Sequence, residues 1–85
     1  MHDLVAAQDI VKIATAVAKK NRLKKVTRIT VKLGRVIQHY EEIKPENLRF
    51  NFKLVKRNTV VESARLVILK ARGKSLTISS VEGEK

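Results

Sequence analysis

Residues 26–34, VTRITVKLG, are the stretch of the sequence that predicts the fold most directly. Apolar and polar side chains alternate there, the apolar set being Ile29, Val31 and Leu33 and the polar set Arg28, Thr30 and Lys32. A period of two is typical of a β-strand with one face on a core and the other in water. We therefore predict a strand that needs a covering layer on its apolar face.

A helix over residues 4–20 is predicted immediately before this strand. Its apolar residues recur at spacings of three and four, namely Leu4, Ala7, Val11, Ala14 and Ala18, with Ile10 and Val17 widening the stripe. Asp3 lies where an N-cap carboxylate would accept hydrogen bonds from free N–H groups. Lys19 and Lys20 suit the negative end of the helix dipole.

A second helix is predicted over residues 45–57, because residues 35–44 keep neither period and Pro45 suits a first helical turn. Asn58 is expected to follow as a left-handed C-cap. One apolar stripe consists of Leu48, Phe52 and Val55, and a second, nearly opposite, consists of Phe50 and Leu54. One stripe must pack on the sheet, which leaves the other for the first helix, a loop or another molecule.

Two more strands are predicted near the end of the chain. Residues 63–70 and 75–81 are rich in β-branched side chains and alternate, and the short connection over residues 71–74 predicts a hairpin. The order helix, strand, helix, strand, strand predicts an α/β (α+β) two-layer domain over residues 1–85. In it two helices cover one face of a small three-stranded mixed sheet.

The composition is strongly basic, with 19 Lys and Arg against 8 Asp and Glu and a formal net charge of +11. Such a field attracts anionic partners, nucleic acid included, but does not itself create a site. Only Tyr40, Phe50 and Phe52 could stack on bases, so specific nucleic-acid binding is poorly supported. A solvated, lysine-rich surface explains the charge as well.

No enzyme is predicted. Serines lie in or beside strands with no histidine near them in sequence, and the three glycines form no phosphate-binding loop. The carboxylates of Glu41 and Glu42 are expected to be solvated. Cysteine is absent, so a disulfide framework and a thiolate zinc site are excluded. No secretory signal or spanning segment is visible, and we expect a soluble, cytoplasmic protein without membrane contact.

The first three residues, Met1-His2-Asp3, have a specific chemistry. The α-amine of Met1 and the imidazole of His2 both lose a proton readily near neutral pH. Together with the His2 amide nitrogen they can converge on one cation, and the Asp3 amide is within reach as a fourth donor. Planar nitrogen donors of this kind favour Ni(II) or Cu(II) over tetrahedral zinc. An ordinary exposed chain end is the alternative interpretation.

The chain resembles the HypA family of nickel-insertion accessory proteins. The resemblance begins with Met1-His2-Asp3-Leu4, Ala7-Gln8, Ile10, Lys24-Lys25-Val26-Thr27 and Lys32-Leu33-Gly34. It continues through Lys44-Pro45-Glu46-Asn47-Leu48-Arg49-Phe50, Phe52, Asn58-Thr59-Val60, Ala64-Arg65-Leu66 and the strand from Gly73 to Glu82. It implies transient Ni(II) binding at Met1, His2 and Asp3 for delivery to a nickel enzyme such as [NiFe]-hydrogenase or, in some organisms, urease. The implied partners are a GTPase of the HypB type and the large subunit of the nickel enzyme.

Three departures from the family pattern shape these expectations. Asp3 replaces the family's glutamate, so backbone ligation would survive with a shorter carboxylate. Residues 70–74 stand where the family carries a zinc module of paired Cys-x-x-Cys motifs, so no zinc and no zinc domain are expected. Arg35 follows Gly34 where glutamate is usual, and residues 36–42 read as an insertion whose His39 could add a ligand.

The main alternative is a HypA-like paralogue without metal delivery. Such a protein would act as a basic module that binds another protein or nucleic acid, and the stripe of Phe50 and Leu54 would be its partner surface. A homodimer is a further option that the sequence leaves open.

Overall fold

The central strand of the fold is β1 (Lys25–Leu33), which pairs with a neighbour along each of its edges. The computed structural model describes residues 2–38 and 41–85. Along the chain its elements are α1 (His2–Lys20), β1 (Lys25–Leu33), β2 (Ile37–Gln38), β3 (Glu41–Glu42), α2 (Pro45–Val55), β4 (Arg65–Lys70) and β5 (Leu76–Glu84). The main sheet has the order β4-β1-β5, with β4 parallel and β5 antiparallel to β1.

The alternation predicted for β1 is present from Arg28 to Leu33 but not at the start of the strand. Val26 is buried although it lies three residues before Ile29, an odd spacing that should place the two on opposite faces. The register against β5 shifts between Val26 and Arg28, which marks a bulge at Thr27. The extra residue of the bulge returns Val26 to the core side.

Both helices lie on the apolar face of the sheet, as predicted. Alanines make most of the deeply buried positions of α1, which with Ile10 are Ala7, Ala14 and Ala18. Their small side chains let α2 pack closely against α1, and α2 contributes Leu48 and Phe52 to the same core. The helix starts at Pro45, as expected, but ends at Val55, two residues earlier than predicted. Asn58 has the expected left-handed conformation, with φ of 59°, but it is not the C-cap, which is Lys56 with φ of -80°.

The hairpin predicted between β4 and β5 is wrong, because these strands flank β1 on opposite sides. Their connection crosses the end of β1 and is held there by main-chain hydrogen bonds. Ala71 N donates to Leu33 O at 3.0 Å, Gly34 N to Ser75 O at 2.9 Å and Arg35 N to Gly73 O at 2.9 Å.

Side-chain hydrogen bonds fix α2 against the start of β4. The guanidinium of Arg49, in α2, donates to the carbonyl oxygen of Leu66 at 2.6 Å. The ammonium of Lys56, just after α2, donates to the carbonyl oxygen of Ala64, just before β4, at 3.2 Å.

The segment between β1 and α2, for which the sequence predicted no element, contains a short antiparallel ladder. Ile37 pairs with Glu42 and Gln38 with Glu41. The segment is anchored by Ile43, whose side chain is buried and whose N–H donates to the carbonyl oxygen of Val36 at 2.8 Å.

The predicted fold class is confirmed, since two helices cover a three-stranded mixed sheet in the order α-β-α-β-β, with a small two-stranded ladder added. In the described ranges, no helix is long and apolar enough to cross a membrane.

We predict that Gly34→Ala destabilises the fold. A Cβ at residue 34 would lie 2.5 Å from the carbonyl oxygen of Gly73 and 3.1 Å from that of Ser75, so the crossing loop would have to move. We expect a loss of about 1–3 kcal/mol in the free energy of unfolding, measured by urea denaturation. Lys74→Ala, an exposed change in the same loop, is the control, and equal stability of both variants would contradict the prediction.

Candidate metal centre

The predicted nickel end coincides with the start of α1. The helix begins at His2, and the structure describes the main chain of this residue. Met1 lies outside the described residues. The first N–H groups of a helix have no intrahelical acceptor, so the amides of this turn are available for another interaction. The main-chain part of the predicted donor set thus lies at a free helix terminus.

The interpretation of Asp3 as an N-cap was wrong. Because α1 already begins at His2, Asp3 lies inside the first turn and not before it. Its side chain is half-buried, and among the described residues its Oδ1 is buried with no hydrogen-bond partner. A buried acceptor of this kind costs free energy until a donor or a cation meets it.

A shallow hollow of about 290 Å³ adjoins Asp3, and its other lining residues are Glu42, Lys44 and Asn47. Since Asp3 belongs to the first turn of α1 and Asn47 to that of α2, the N-termini of the two helices lie side by side. Glu42 is paired with the guanidinium of Arg35 at 3.1 Å. The hollow therefore combines two carboxylates, one lysine and the positive ends of two helix dipoles.

Side chains alone do not form a metal site in the part of the chain that the structure describes. No three His, Cys, Asp or Glu residues there come close enough to hold an ion. His39 lies outside the described residues. Within the described residues, the candidate donors are main-chain nitrogens at the start of α1 and Asp3 Oδ1, which has no partner among those residues. The nitrogens fit a cation that accepts nitrogen ligands in a plane, as Ni(II) does.

The second stripe of α2 is exposed, as the alternative interpretation required. Phe50 is 61% exposed and Leu54 is 47% exposed, whereas Phe52 on the opposite side is 2% exposed. Neither Phe50 nor Leu54 is therefore buried against α1.

Sequence reasoning missed the other three residues of the hollow, Glu42, Lys44 and Asn47. They come from a segment without period and from the start of α2, so their approach to Asp3 depends on tertiary packing. One signal was available: a strand, a helix and a strand in succession favour a parallel pair of strands. With α2 crossing back between parallel β1 and β4, the two helices run in the same direction and their N-termini meet.

Comparison with known proteins finds relatives that are named for nickel incorporation and hydrogenase maturation. The family model described as "Hydrogenase/urease nickel incorporation, metallochaperone, hypA" matches residues 1–81. The "Hydrogenase maturation factor HypA" of Caldanaerobacter subterraneus subsp. tengcongensis is 37% identical over 67 residues, covering 79% of this chain and 55% of the relative. That of Xanthobacter autotrophicus is 32% identical over 73 residues, covering 86% and 61%. The chain thus spans little more than half the length of these curated relatives.

A solved structure shares the fold. The solution structure of the Ni metallochaperone HypA from Helicobacter pylori superposes with a TM-score of 0.74 at 15% identity, covering 96% of this chain and 97% of that chain. At this identity the likeness concerns the fold alone. The match to the family model and the sequence relatives show that the chain belongs to the HypA family.

We predict that Asp3→Ala does not lower stability in the absence of metal. Removal of the carboxylate loses an attraction to the helix dipole of up to about 1 kcal/mol but also removes a buried, unsatisfied acceptor that costs about 1–3 kcal/mol. Glu46→Ala is the matched control, because Glu46 is an exposed acid in the first turn of α2. This variant should lose a few tenths of a kcal/mol in the free energy of unfolding. Urea denaturation at pH 7 measures both variants. A loss of about 1 kcal/mol or more for Asp3→Ala would instead indicate a capping role.

Proposed function

We propose that this member of the HypA family binds Ni(II) at its N-terminus and delivers it to a nickel enzyme such as [NiFe]-hydrogenase. The proposed ligands are the amine of Met1, the amide and imidazole nitrogens of His2 and, as a fourth donor, the amide of Asp3. The observation that carries the proposal is the start of α1 at His2, which leaves the first-turn amides without intrahelical acceptors.

The surroundings of this helix start support metal binding there. The positive ends of α1 and α2 repel a free cation, but they favour the anionic, deprotonated form of the amides that coordinate it. Asp3 Oδ1, buried without a partner among the described residues, offers a negative charge beside them. Ni(II) is cargo in this proposal, and the protein's task is to hold it loosely enough to release it.

The proposed role is that of a carrier in the cytoplasm and not of an enzyme. Residues 1–85 would act as one nickel-binding-type domain without a zinc domain. The proposed partners are a GTPase of the HypB type and the large subunit of the nickel enzyme, in keeping with the hydrogenase maturation role for which the relatives are named. His39, which lies outside the described residues, is proposed as an additional ligand because imidazole is a common ligand of Ni(II).

We predict that His2→Ala, and separately one residue added before Met1, each weaken Ni(II) binding at least about tenfold, because either change removes or displaces a donor. Calorimetry on untagged protein measures the affinity. Gln8→Ala, an exposed change on α1, should bind like the wild type. Unchanged affinity in both altered proteins would contradict the proposed site.

We also predict that Lys44→Ala tightens Ni(II) binding about two- to fivefold at low salt. Lys44 shares the hollow with Asp3, and two unit charges a few ångströms apart in water interact with about 1 kcal/mol. Its side chain forms no capping hydrogen bond to α2, so its removal should leave that helix intact. Lys19→Ala, near the far end of α1, is the control. An equal gain in both variants would attribute the effect to net charge.

A further inference from the structure

The outer face of α2 carries two large apolar side chains that the fold does not cover. Phe50 and Leu54 are 61% and 47% exposed, and their spacing of four places them side by side on the helix. Exposed aromatic and leucine side chains in contact are typical of protein interaction sites, and single exposed ones are not. This pair therefore needs an explanation beyond the stability of the fold.

Cations flank this apolar pair. Lys53 lies three residues after Phe50 in α2, Arg57 lies two residues beyond the end of the helix, and both are exposed. The ion pairs among the described residues, Arg28 with Glu82 and Arg35 with Glu42, include neither of them. The surface thus joins apolar contact area to positive charge that is available to an outside carboxylate.

The same surface reaches the hollow beside Asp3. Asn47, Phe50 and Leu54 follow one another at helical positions i, i+3 and i+7, and Asn47 lines that hollow. Seven residues of helix span about 10 Å along its axis. A molecule seated on Phe50 and Leu54 would therefore lie within two turns of the proposed nickel end.

We propose that Asn47, Phe50, Lys53, Leu54 and Arg57, here called the α2 docking surface, bind an acidic protein whose contact site is an apolar pocket rimmed by Asp and Glu. Charge complementarity selects this partner, because a chain of net charge +11 attracts acidic surfaces. The apolar pair supplies the anchor, and the cations set orientation and association rate.

Two other occupants fit less well. In a symmetric contact with a second copy, the same surface would face itself and bring Lys53 and Arg57 close to their equivalents of like charge. Among the described residues a nucleic acid would meet one exposed aromatic side chain, that of Phe50, since Phe52 is buried, and stacking platforms use several.

The test measures binding of the purified HypB-type GTPase and of the nickel-enzyme large subunit proposed above by interferometry. The proposal rests on the proposed function only for this choice of probes. Phe50→Ser/Leu54→Ser should weaken binding of at least one probe tenfold or more. Ile13→Ser, which changes a 51% exposed apolar residue of α1, should stay within twofold of the wild type.

Charge reversal provides a second, independent variant. Lys53→Glu/Arg57→Glu should weaken binding and reduce its salt dependence, whereas Lys19→Glu/Lys20→Glu, an equal change at the end of α1, should do neither. Circular dichroism melts check that all variants fold. The proposal would be overturned if the wild type bound neither probe, if both α2 variants bound as the wild type does, or if the controls lost as much binding. Displacement of the probe by duplex DNA would also overturn it.

Nickel calorimetry on the same proteins separates this proposal from the proposed function. The α2 variants should bind Ni(II) with wild-type affinity, because none of the changed residues belongs to the proposed ligand set. A wild-type protein that binds a probe through α2 but no nickel would refute nickel delivery alone. One that binds nickel but neither probe would refute the docking surface alone.

Discussion

The buried face of β1 is the constraint on which the rest of the structure depends. Ile29 and Val31 are completely buried there, and β1 is the strand that pairs along both edges. Because α1 leads into this strand and α2 crosses back from it to the parallel strand β4, the directions of both helices follow from its own. The two helix N-termini then come together at the end where β1 finishes, and the candidate metal centre lies at that end.

Local periodicity was enough to predict both helices, the three strands of the main sheet and much of the core. Ala7, Ala14 and Ala18 of the predicted helix stripe are buried and Leu4 and Val11 are half-buried, and β1 alternates from Arg28 to Leu33. Strand pairing could not be predicted in this way. The false hairpin arose because loop length alone cannot tell which strand β5 pairs with, and β5 lies on the opposite side of β1 from β4.

The site was predictable only where the sequence itself carries the chemistry. Met1-His2-Asp3 contains the proposed donors in consecutive positions, so no tertiary information was needed to find them. The neighbours of Asp3 are distant in sequence and have no pattern of their own, so only the packing of α1 against α2 reveals them. The burial of Asp3 Oδ1, which has no hydrogen-bond partner among the described residues, was unpredictable for the same reason, since it depends on all the residues packed around that atom.

The loop that crosses the end of β1 has a consequence for evolution. Its attachment uses main-chain atoms of residues 71, 73 and 75, and Gly73, with φ of 102°, has a conformation that favours glycine. Its two ends, Lys70 and Leu76, flank Leu33 on neighbouring strands, a separation of roughly 10 Å at ~4.8 Å per strand spacing. A folded unit whose own ends lie that far apart could be spliced into this loop or removed from it, with the sheet register unchanged. This loop is thus a site at which an accessory module can be inserted or deleted without a change in the core.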